Sequence, residues 1–178
     1  MVEIVNVVGS GDLGIEIDLQ ELAADIPLAE YDDSHRPAPP TIQMRTGNSL
    51  ILVYRTGTYA IRGGESIEDI EEARDHLLSI LVDLSLIEDI NDPNFAIRNV
   101  VCVGNLDQDI DLNAMVVRLG FEDTEYEPEQ FPGLVYRPEY TNCVLLIFAS
   151  GKVVITGGRS KKDAEMAFES LQAEIETF

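Results

Sequence analysis

The sequence predicts an α+β fold made of two similar halves, each an antiparallel sheet with its helices on one face. The first observation is an internal repeat, since Ile4–Val8 (IVNVV) recurs as Ile97–Val101 (IRNVV) and Ile61–Ser66 recurs as Ile155–Ser160. The second is that both halves carry the same order of elements: a strand, a short helix, a run of strands and a long helix. A repeat of about 90 residues is far longer than a solenoid unit. It indicates two half-domains related by a pseudo-twofold axis.

The first strand of each half leads through a turn to a short helix. In the first half we expect the glycine-rich segment Gly9–Gly14 to form that turn. The first short helix begins at Asp18, and Glu21 three residues later predicts a capping pair. The second begins at Asp111 and ends at Leu119–Gly120, where glycine is a typical C-cap residue.

Three extended segments follow in each half. They are rich in β-branched and aromatic residues, which favour strands. The steps Thr56–Gly57 and Ser150–Gly151 predict hairpin turns. The segments are Thr41–Arg45, Leu50–Tyr54 and Thr58–Arg62 in the first half, and Leu134–Arg137, Val144–Phe148 and Lys152–Thr156 in the second.

A long helix closes each half. Ser66 followed by Asp69, and Ser160 followed by Asp163, are typical helix starts with an N-cap serine. Helical spacing then predicts one buried apolar stripe per helix. The stripes are Ile67, Ile70, Ala73, Leu77, Leu78 and Leu81 in the first helix, and Ala164, Ala167, Phe168, Leu171 and Ile175 in the second.

The opposite face of the sheet is predicted to lack helices. In the strand Lys152–Thr156, alternation places Val153 and Ile155 towards the helices. The other face then carries few hydrogen-bonding groups, and an uncovered apolar sheet face indicates a binding surface. Its predicted members are Asn99, Val101, Leu146, Phe148, Lys152, Val154 and Thr156.

The charge is strongly acidic. The 178 residues carry a formal net charge of −21, and the only lysines are Lys152, Lys161 and Lys162. Acidity alone is explained by solubility, but the scarcity of lysine favours adaptation to molar salt, where repulsion between carboxylates is screened over about 3 Å. Taken by itself, this charge argues against binding nucleic acid.

Cysteine usage and the N-terminus point to a cytoplasmic protein. Cys102 and Cys143 lie in apolar stretches without metal-ligand spacing, so we expect buried free thiols in a reducing compartment. The start Met1–Glu3 has no basic segment of a signal peptide. No apolar run reaches the roughly 18 residues that a membrane span needs, and we expect a soluble protein.

Three other classes of site are weaker interpretations. Gly9–Gly14 matches the dinucleotide fingerprint G-x-G-x-x-G, but no clear helix follows it and its repeat partner lacks the glycines. Asp107–Asp111 begins like a calcium loop, yet Leu112 and Arg118 stand where glycine and glutamate are required. No convergent polar cluster indicates a small-ligand pocket or a catalytic site. We therefore expect no enzymatic activity, metal or cofactor.

Two segments of the second half resemble one family closely. Glu125–Arg137 (EYEPEQFPGLVYR) resembles the stirrup of the TATA-box-binding protein family, and Leu145–Gly158 (LLIFASGKVVITGG) is similar to that family's phenylalanine-bearing hairpin. Ile4–Val8 resembles the family's first strand. The resemblance covers nearly the whole chain, and the acidic composition suggests a haloarchaeal member. It implies that two repeats, 1–90 and 91–178, form one curved antiparallel sheet, a saddle with helices on its convex face.

The resemblance implies a general transcription initiation factor. Such a factor binds and bends A/T-rich promoter DNA in the minor groove, and this family is itself a standard example of apolar wedges that kink the duplex. It then recruits transcription factor B, and through it the RNA polymerase pre-initiation complex, so we expect association with the nucleoid. Glu127, Glu129 and Gln130 match the family's contact with transcription factor B.

The resemblance also assigns DNA contacts by position. It implies base-edge hydrogen bonds from Asn6 and Asn99, and wedges at Phe131 and Phe148 with Pro132 beside the first. Contacts with the groove floor fall to Val8, Val101, Val154 and Thr156, and phosphate contacts fall to Arg137 and Lys152. The remaining positions on the DNA face are Arg45, Leu52, Tyr54, Thr58, Ala60, Arg62 and Leu146.

The first half departs from the family pattern. Ser34–Pro40 stands where the second half has Phe131, and the partner of Phe148 is Tyr54, whose hydroxyl disfavours insertion between bases. Further differences are Thr58 for Lys152, Ala60 for Val154 and Arg62 for Thr156. We therefore expect one half to kink DNA well and the other poorly, with weak and asymmetric binding. The alternative is a diverged paralogue that acts mainly as a protein-interaction module.

Overall fold

Both halves of the chain fold as antiparallel sheets with helices on one face, which confirms the predicted α+β class. The computed structural model describes residues 1–177. Residues 6–98 form one compact unit, called the N-terminal unit below. Residues 1–5 and the chain from Asn99 onward form the other, called the C-terminal unit.

The N-terminal unit has the strand order β2-β3-β4-β5-β1, with every pairing antiparallel. Helix α1 lies against β2 and β3, and α2 lies against β4 and β5. The elements are β1 (Val2–Asp12), α1 (Leu19–Asp25), β2 (Glu30–Asp32), β3 (Thr41–Thr46), β4 (Ser49–Tyr54), β5 (Thr58–Gly64) and α2 (Ile67–Asp83).

The C-terminal unit repeats this plan with the order β6-β10-β9-β8-β7. Helix α3 lies against β7 and β8, and α4 lies against β10. The elements are β6 (Ala96–Asn105), α3 (Leu112–Leu119), β7 (Thr124–Glu125), β8 (Leu134–Tyr136), β9 (Val144–Ile147), β10 (Lys152–Gly158) and α4 (Lys161–Glu176).

The prediction of a turn at Gly9–Gly14 is wrong, because most of this segment is strand. Gly9–Asp12 continue strand β1, and positive φ appears only at Gly14 (68°). The glycine at position 9 serves packing, because a Cβ there would lie 2.8 Å from Ile70 Cγ2. This segment therefore does not form the strand-to-helix turn on which a dinucleotide fingerprint depends.

The edge strands β2 and β7 are not predicted from the sequence. They contain only three and two residues, and charged side chains in Glu30–Asp32 and Thr124–Glu125 give them low intrinsic strand propensity. Both are held by pairing with a longer neighbour, β3 or β8. Short charged edges of this kind protect a sheet against pairing with another chain.

The predicted serine caps of the long helices are confirmed. The Asp69 amide donates to Ser66 Oγ at 3.1 Å, and the Ser66 amide donates back to Asp69 Oδ2 at 3.1 Å. Ser160 and Asp163 repeat this reciprocal pair at 3.2 and 3.1 Å. The same arrangement at corresponding points of both units shows the internal repeat at the level of individual hydrogen bonds.

Both short helices begin at the predicted N-cap aspartates, and the second ends at the predicted glycine. Asp18 Oδ1 accepts from the amides of Gln20 and Glu21 at 3.1 Å each. Asp111 Oδ1 accepts from the Ala114 amide. Gly120, with φ of 99°, ends α3. Both predicted hairpin turns also form, at Gly57 and Gly151, each with φ of 86°.

The apolar stripes of α2 and α4 form the cores of the two units. Nearly all of their predicted members are buried, but Ile67 and Ile175, at the ends of the stripes, are only half-buried. In the C-terminal unit the fully buried Phe168 lies directly on β6. A Cβ at Gly104 would approach Phe168 Cε2 to 2.7 Å, so glycine is required there for the helix to reach the sheet.

The segment that follows α2 is fixed to the N-terminal unit by aromatic contacts. Tyr59 donates a hydrogen bond from its hydroxyl to Asp92 Oδ2 at 2.7 Å, and its ring stacks with Phe95 at a centroid distance of 6.4 Å. The Arg74 guanidinium lies 4.6 Å from the centre of the Phe95 ring. Burial, followed by the Asp92 hydrogen bond, raises the pKa of Tyr59 well above its ordinary value.

Cys102 and Cys143 are both buried and free, as predicted. Burial raises the pKa of the Cys102 thiol, which keeps it protonated and unreactive. Among residues 1–177, none of the helices combines the length and the apolar character needed to cross a bilayer.

The contribution of the α2 N-cap to stability can be tested directly. We expect Ser66→Ala to lower the free energy of unfolding by about 1 kcal/mol, because the Asp69 amide loses its acceptor at the helix start. The measurement is urea unfolding at constant molar salt. Ser79→Ala, at an exposed position within α2, is the matched control and should change stability little. Equal effects of the two substitutions would contradict a specific role for the cap.

Candidate nucleic-acid interface

The helix-free face of the C-terminal unit carries a continuous row of aliphatic side chains. Val153 and Ile155 of β10 are completely buried towards α4. Between them, Val154 points to the other face and pairs with Val103 of β6 and with Leu146 of β9. Leu146 in turn pairs with Val135 of β8. We call the four residues Val103, Val154, Leu146 and Val135 the aliphatic row.

The structure brings together the predicted members of this face and adds two. Val103 and Val135 are absent from the predicted set, although both are half-buried and belong to the row. Alternation along β6 from Asn99 and Val101 identifies Val103, because side chains at i and i+2 share a face. Val135 follows only from the register of β8 with β9, which the sequence does not reveal.

Asn99 is held in one orientation beside the aliphatic row. Its Oδ1 accepts from the Gly157 amide at 2.8 Å, and its Nδ2 lies 3.0 Å from Thr156 Oγ1. In the N-terminal unit, Asn6 Oδ1 accepts from the Gly63 amide at 3.0 Å. Both predicted base-contacting asparagines are therefore oriented by the strand that follows the hairpin of their own unit.

Phe131 and Phe148 form an aromatic pair at the outer end of the same unit. Their ring centroids are 5.8 Å apart at an interplanar angle of 68°, an edge-to-face contact. Phe131 remains 37% exposed. Gly133 leaves room for both rings, because a Cβ there would lie 2.8 Å from Phe131 Cε1 and 3.1 Å from Phe148 Cε1. Two apolar rings thus stand together where a loop meets the sheet.

The loop that carries Phe131 is closed by its own backbone. The Glu127 carbonyl accepts from the amides of Gln130 and Phe131 at 2.9 and 3.0 Å. Three polar residues of this loop, Glu127, Glu129 and Gln130, are exposed, as is Pro132. The loop therefore presents an acidic surface next to the aromatic pair.

The two predicted phosphate ligands of this unit differ in their surroundings. Lys152 is exposed at the start of β10, opposite Asn105 of β6. Arg137 follows β8, and its Nε lies 4.0 Å from Glu125 Oε1 with both side chains exposed. A surface ion pair of this kind is weak, so Arg137 can exchange Glu125 for another anion at small cost.

The helix-free face of the N-terminal unit is more polar. Across three strand pairings, Arg45 lies opposite Leu50, Leu50 opposite Arg62, and Arg62 opposite Val8. We call these four residues the arginine row. Arg45 and Arg62 are exposed, whereas Leu50 and Val8 are half-buried.

A second row lies beside the arginine row. Gln43 pairs with Leu52, Leu52 with Ala60, and Ala60 with Ser10. The Arg98 Nε donates to Ser10 Oγ at 2.9 Å, which places a further cation on this face. Leu50, Gln43, Ser10 and Arg98 are absent from the predicted site. Alternation from Leu52 and Val8 identifies Leu50 and Ser10, but the pairing of Arg98 with Ser10 has no local sequence signal.

At the outer end of this unit Tyr54 stands in place of Phe148, and carboxylates lie at both ends of its row. Asp12 pairs with Thr58, and Tyr54 pairs with Thr41, which pairs with Asp32. Hydrogen bonds from Ser34 lower the pKa of the half-buried Asp32 carboxyl, so it is ionised at neutral pH.

A cleft of about 810 Å³ opens beside Tyr54. The residues that line it include Pro39, Pro40, Ile17 and Leu19. Ile42 pairs with Val53 as Leu134 pairs with Ile147, so Thr41 stands in the position of Gly133 and Pro39 in the position of Phe131. The space beside the hairpin aromatic therefore remains open in the N-terminal unit.

Comparisons with known proteins agree with this geometry. The family model described as "Transcription factor TFIID (or TATA-binding protein, TBP)" matches residues 1–84 and 94–178. TATA-box-binding protein C of Halobacterium salinarum is 47% identical over 177 residues, which cover 98% of this chain and 97% of that protein. The TATA-box-binding protein of Archaeoglobus fulgidus is 38% identical over 176 residues, covering 99% and 95%.

A solved structure confirms the predicted fold. The chain is similar to Methanococcus jannaschii TBP with a TM-score of 0.81 and 37% sequence identity, over 99% of both chains. The stirrup and hairpin motifs of the second half pointed to the same family, and haloarchaeal relatives bear the same name. This chain therefore belongs to the TATA-box-binding protein family of transcription factors.

Proposed function

We propose that this protein is a general transcription initiation factor that binds A/T-rich promoter DNA in the minor groove and bends it. The observation that carries the proposal is the aliphatic row of the C-terminal unit, which ends beside Phe131 and Phe148 on a face without helices. The minor groove at A·T pairs presents acceptors and little else. An apolar strip with few donors fits such a groove better than it fits the polar major groove.

The aromatic pair supplies the bend. Apolar side chains inserted between base steps unstack them and kink the duplex, and the resulting curve brings more DNA onto the protein. Phe131 is exposed enough to enter a base step, and its contact with Phe148 holds the ring in place. Asn6 and Asn99 donate to base acceptors from fixed orientations, and Lys152 and Arg137 contact phosphates.

The two repeats, 1–90 and 91–178, contribute unequally. The N-terminal repeat contacts DNA through Val8, Leu52, Ala60 and the arginine row, and Tyr54 and Thr58 mark its outer end. Its outer carboxylates at Asp12 and Asp32 repel phosphates. Strong kinking is therefore confined to the end that carries Phe131.

The exposed acidic loop of the C-terminal unit recruits transcription factor B. Glu127, Glu129 and Gln130 lie next to the aromatic pair, so a partner bound there sits beside the kinked DNA. Through this partner the protein brings RNA polymerase to the promoter in the nucleoid.

Removal of both wedges tests DNA binding and bending. We expect Phe131→Ala with Phe148→Ala to reduce affinity for a TATA duplex by roughly tenfold or more, since each stacked ring contributes about 1–3 kcal/mol. The bend, measured by energy transfer between dyes at the two DNA ends, should decrease as well. The control is Phe121→Ala, at a ring that is 74% exposed and lies just after α3. An unchanged bend in the double variant would contradict the wedge mechanism.

Salt should act on this complex in an unusual direction. A protein of net charge −21 meets a polyanion, and added salt screens their repulsion. We expect affinity for the TATA duplex to stay flat or rise as potassium chloride increases from about 0.2 M to about 2 M, whereas counterion release normally weakens binding. Mobility shifts or fluorescence anisotropy measure this directly. A steady loss of affinity over that range would refute the expectation.

Charge reversal in the acidic loop separates recruitment from DNA binding. We expect Glu127→Arg with Glu129→Arg to abolish the ternary complex with transcription factor B, because the interface loses two carboxylates. Binary DNA affinity should not fall. Glu169→Arg with Glu176→Arg, on the exposed side of α4, is the matched control for net charge. A ternary complex that survives the loop reversal would place the partner elsewhere.

The structure also favours a second candidate, a diverged paralogue that acts mainly through protein contacts. The observation behind it is the N-terminal outer end, where Tyr54 and prolines replace the aromatic pair and carboxylates flank them. Promoter activity in cells distinguishes the two functions. If activity survives the double phenylalanine variant and is lost with the loop reversal, protein recruitment is the main role.

A further inference from the structure

We propose that the cleft beside Tyr54 in the N-terminal unit binds a partner protein through one aromatic side chain that is flanked by basic residues. The partner places its ring beside Tyr54, as the C-terminal unit places Phe131 beside Phe148, and its cations pair with the carboxylates that line the cleft. This protein contact is additional to the proposed DNA binding and does not depend on it.

Strand register shows which group the cleft lacks. Tyr54 stands in the position of Phe148, and Pro39 stands in the position of Phe131. In the C-terminal unit, the Phe131 ring makes an edge-to-face contact with Phe148 at a centroid distance of 5.8 Å. Proline offers Tyr54 no aromatic ring. The N-terminal unit therefore keeps one member of the aromatic pair and leaves space for a ligand to supply the other.

The cleft is large enough for an aromatic side chain and the residues next to it. Its volume of about 810 Å³ lies in the range of roughly 300–1,000 Å³ that is typical of ligand sites. Tyrosine is an aromatic side chain with a polar tip, and it is enriched in protein interfaces. Such a lining favours an aromatic ring as the part of the partner that enters. The apolar and aromatic residues that line the cleft are Ile17, Leu19, Tyr31, Pro39, Pro40 and Tyr54.

The charges around the cleft select a cationic ligand. Glu16 and Asp18 line it and are exposed, and Arg55 is the one cation among the described residues of the lining. Asp12 and Asp32 lie at the two ends of the row that contains Tyr54. These carboxylates attract lysine and arginine and repel phosphate groups. A basic peptide therefore fits the cleft better than a nucleotide, whose ring carries phosphates with it.

Two walls of the cleft are joined by hydrogen bonds. The Ile17 amide donates to the Arg55 carbonyl at 2.8 Å, which holds the segment before α1 against the hairpin. Asp18 is engaged as the N-cap of α1, so Glu16 is the carboxylate more available to a cation. A cleft that is formed before the ligand arrives reduces the entropy cost of binding.

Short synthetic peptides test the aromatic part of this contact. The probe is a fluorescein-labelled peptide with one phenylalanine flanked by arginines, and the matched peptide carries alanine in place of phenylalanine. In about 0.5 M potassium chloride, where long-range attraction is screened, we expect the phenylalanine peptide to bind roughly tenfold more tightly, because the alanine peptide buries no ring. Fluorescence anisotropy measures both affinities.

Filling the cleft from within should block the phenylalanine peptide. Pro39→Phe places a phenyl ring at the position of Phe131, where it can pack on Tyr54, and we expect affinity for the peptide to fall roughly tenfold. Ala38→Phe is the matched control, because Ala38 is exposed and is not part of the cleft lining. Circular dichroism and unfolding midpoints check that both variants are folded.

Removal of one carboxylate tests the cationic part of the contact without changing the shape of the loop. Glu16→Gln should weaken binding of the phenylalanine peptide by roughly threefold, as expected for one exposed ion pair. Glu21→Gln, at an exposed position of α1 outside the cleft lining, is the control and should leave the affinity unchanged.

The remaining outcomes each contradict the inference. Equal binding of the phenylalanine and alanine peptides overturns the aromatic contact. Equal affinities of the Pro39→Phe and Ala38→Phe variants for the phenylalanine peptide place that peptide outside the cleft. If phenethylamine, a small aromatic cation, displaces the labelled peptide as effectively as unlabelled peptide does, the cleft is a small-ligand site and not a protein contact. The affinity for a TATA duplex, measured separately, decides the proposed function in every case.

Discussion

The whole structure depends on the unequal burial of the two faces of a pleated sheet. In β10, Val153 and Ile155 are completely buried, while Val154 and Thr156 keep part of their surface in water. Phe168 can press against β6 only because Gly104 has no side chain. Within residues 1–177, α1 to α4 all pack on one face of the sheets, so none of them covers the other. The uncovered face is thus a direct result of how the core is filled.

Much of this could be predicted from sequence because the determining signals are local. Serine caps, hairpin glycines and alternating strands each lie within a few residues, and the structure confirms them. The extension of β1 through Gly9–Asp12 could not be predicted. Its glycines are required by close contacts with side chains distant in sequence, such as Ile70. The strands β2 and β7 were missed for a related reason: pairing with a neighbour, rather than their own composition, makes them extended.

The residues of the candidate site also divide into those with a local sequence signal and those without one. Residues of the second half, such as Phe131 and Val154, could be assigned because their sequence context closely resembles one family. The arginine row could be assigned only in part, as Arg45, Arg62 and Val8; Leu50 is absent from that set, although alternation from Leu52 places it on the same face. Both halves keep the hydrogen bonds that build the fold, while their helix-free faces differ, one being aliphatic and the other cationic.

The contacts around Phe95 have a consequence for dissecting this protein into parts. Phe95 packs next to Gly9 and stacks on Tyr59, and Asp92 accepts the hydrogen bond of the buried Tyr59 hydroxyl. A fragment that stops at residue 90 therefore leaves a buried donor without an acceptor and a hollow above β1, each costly to the folded state. An autonomous N-terminal half therefore needs the chain as far as residue 98, because Asp92 and Phe95 complete its packing.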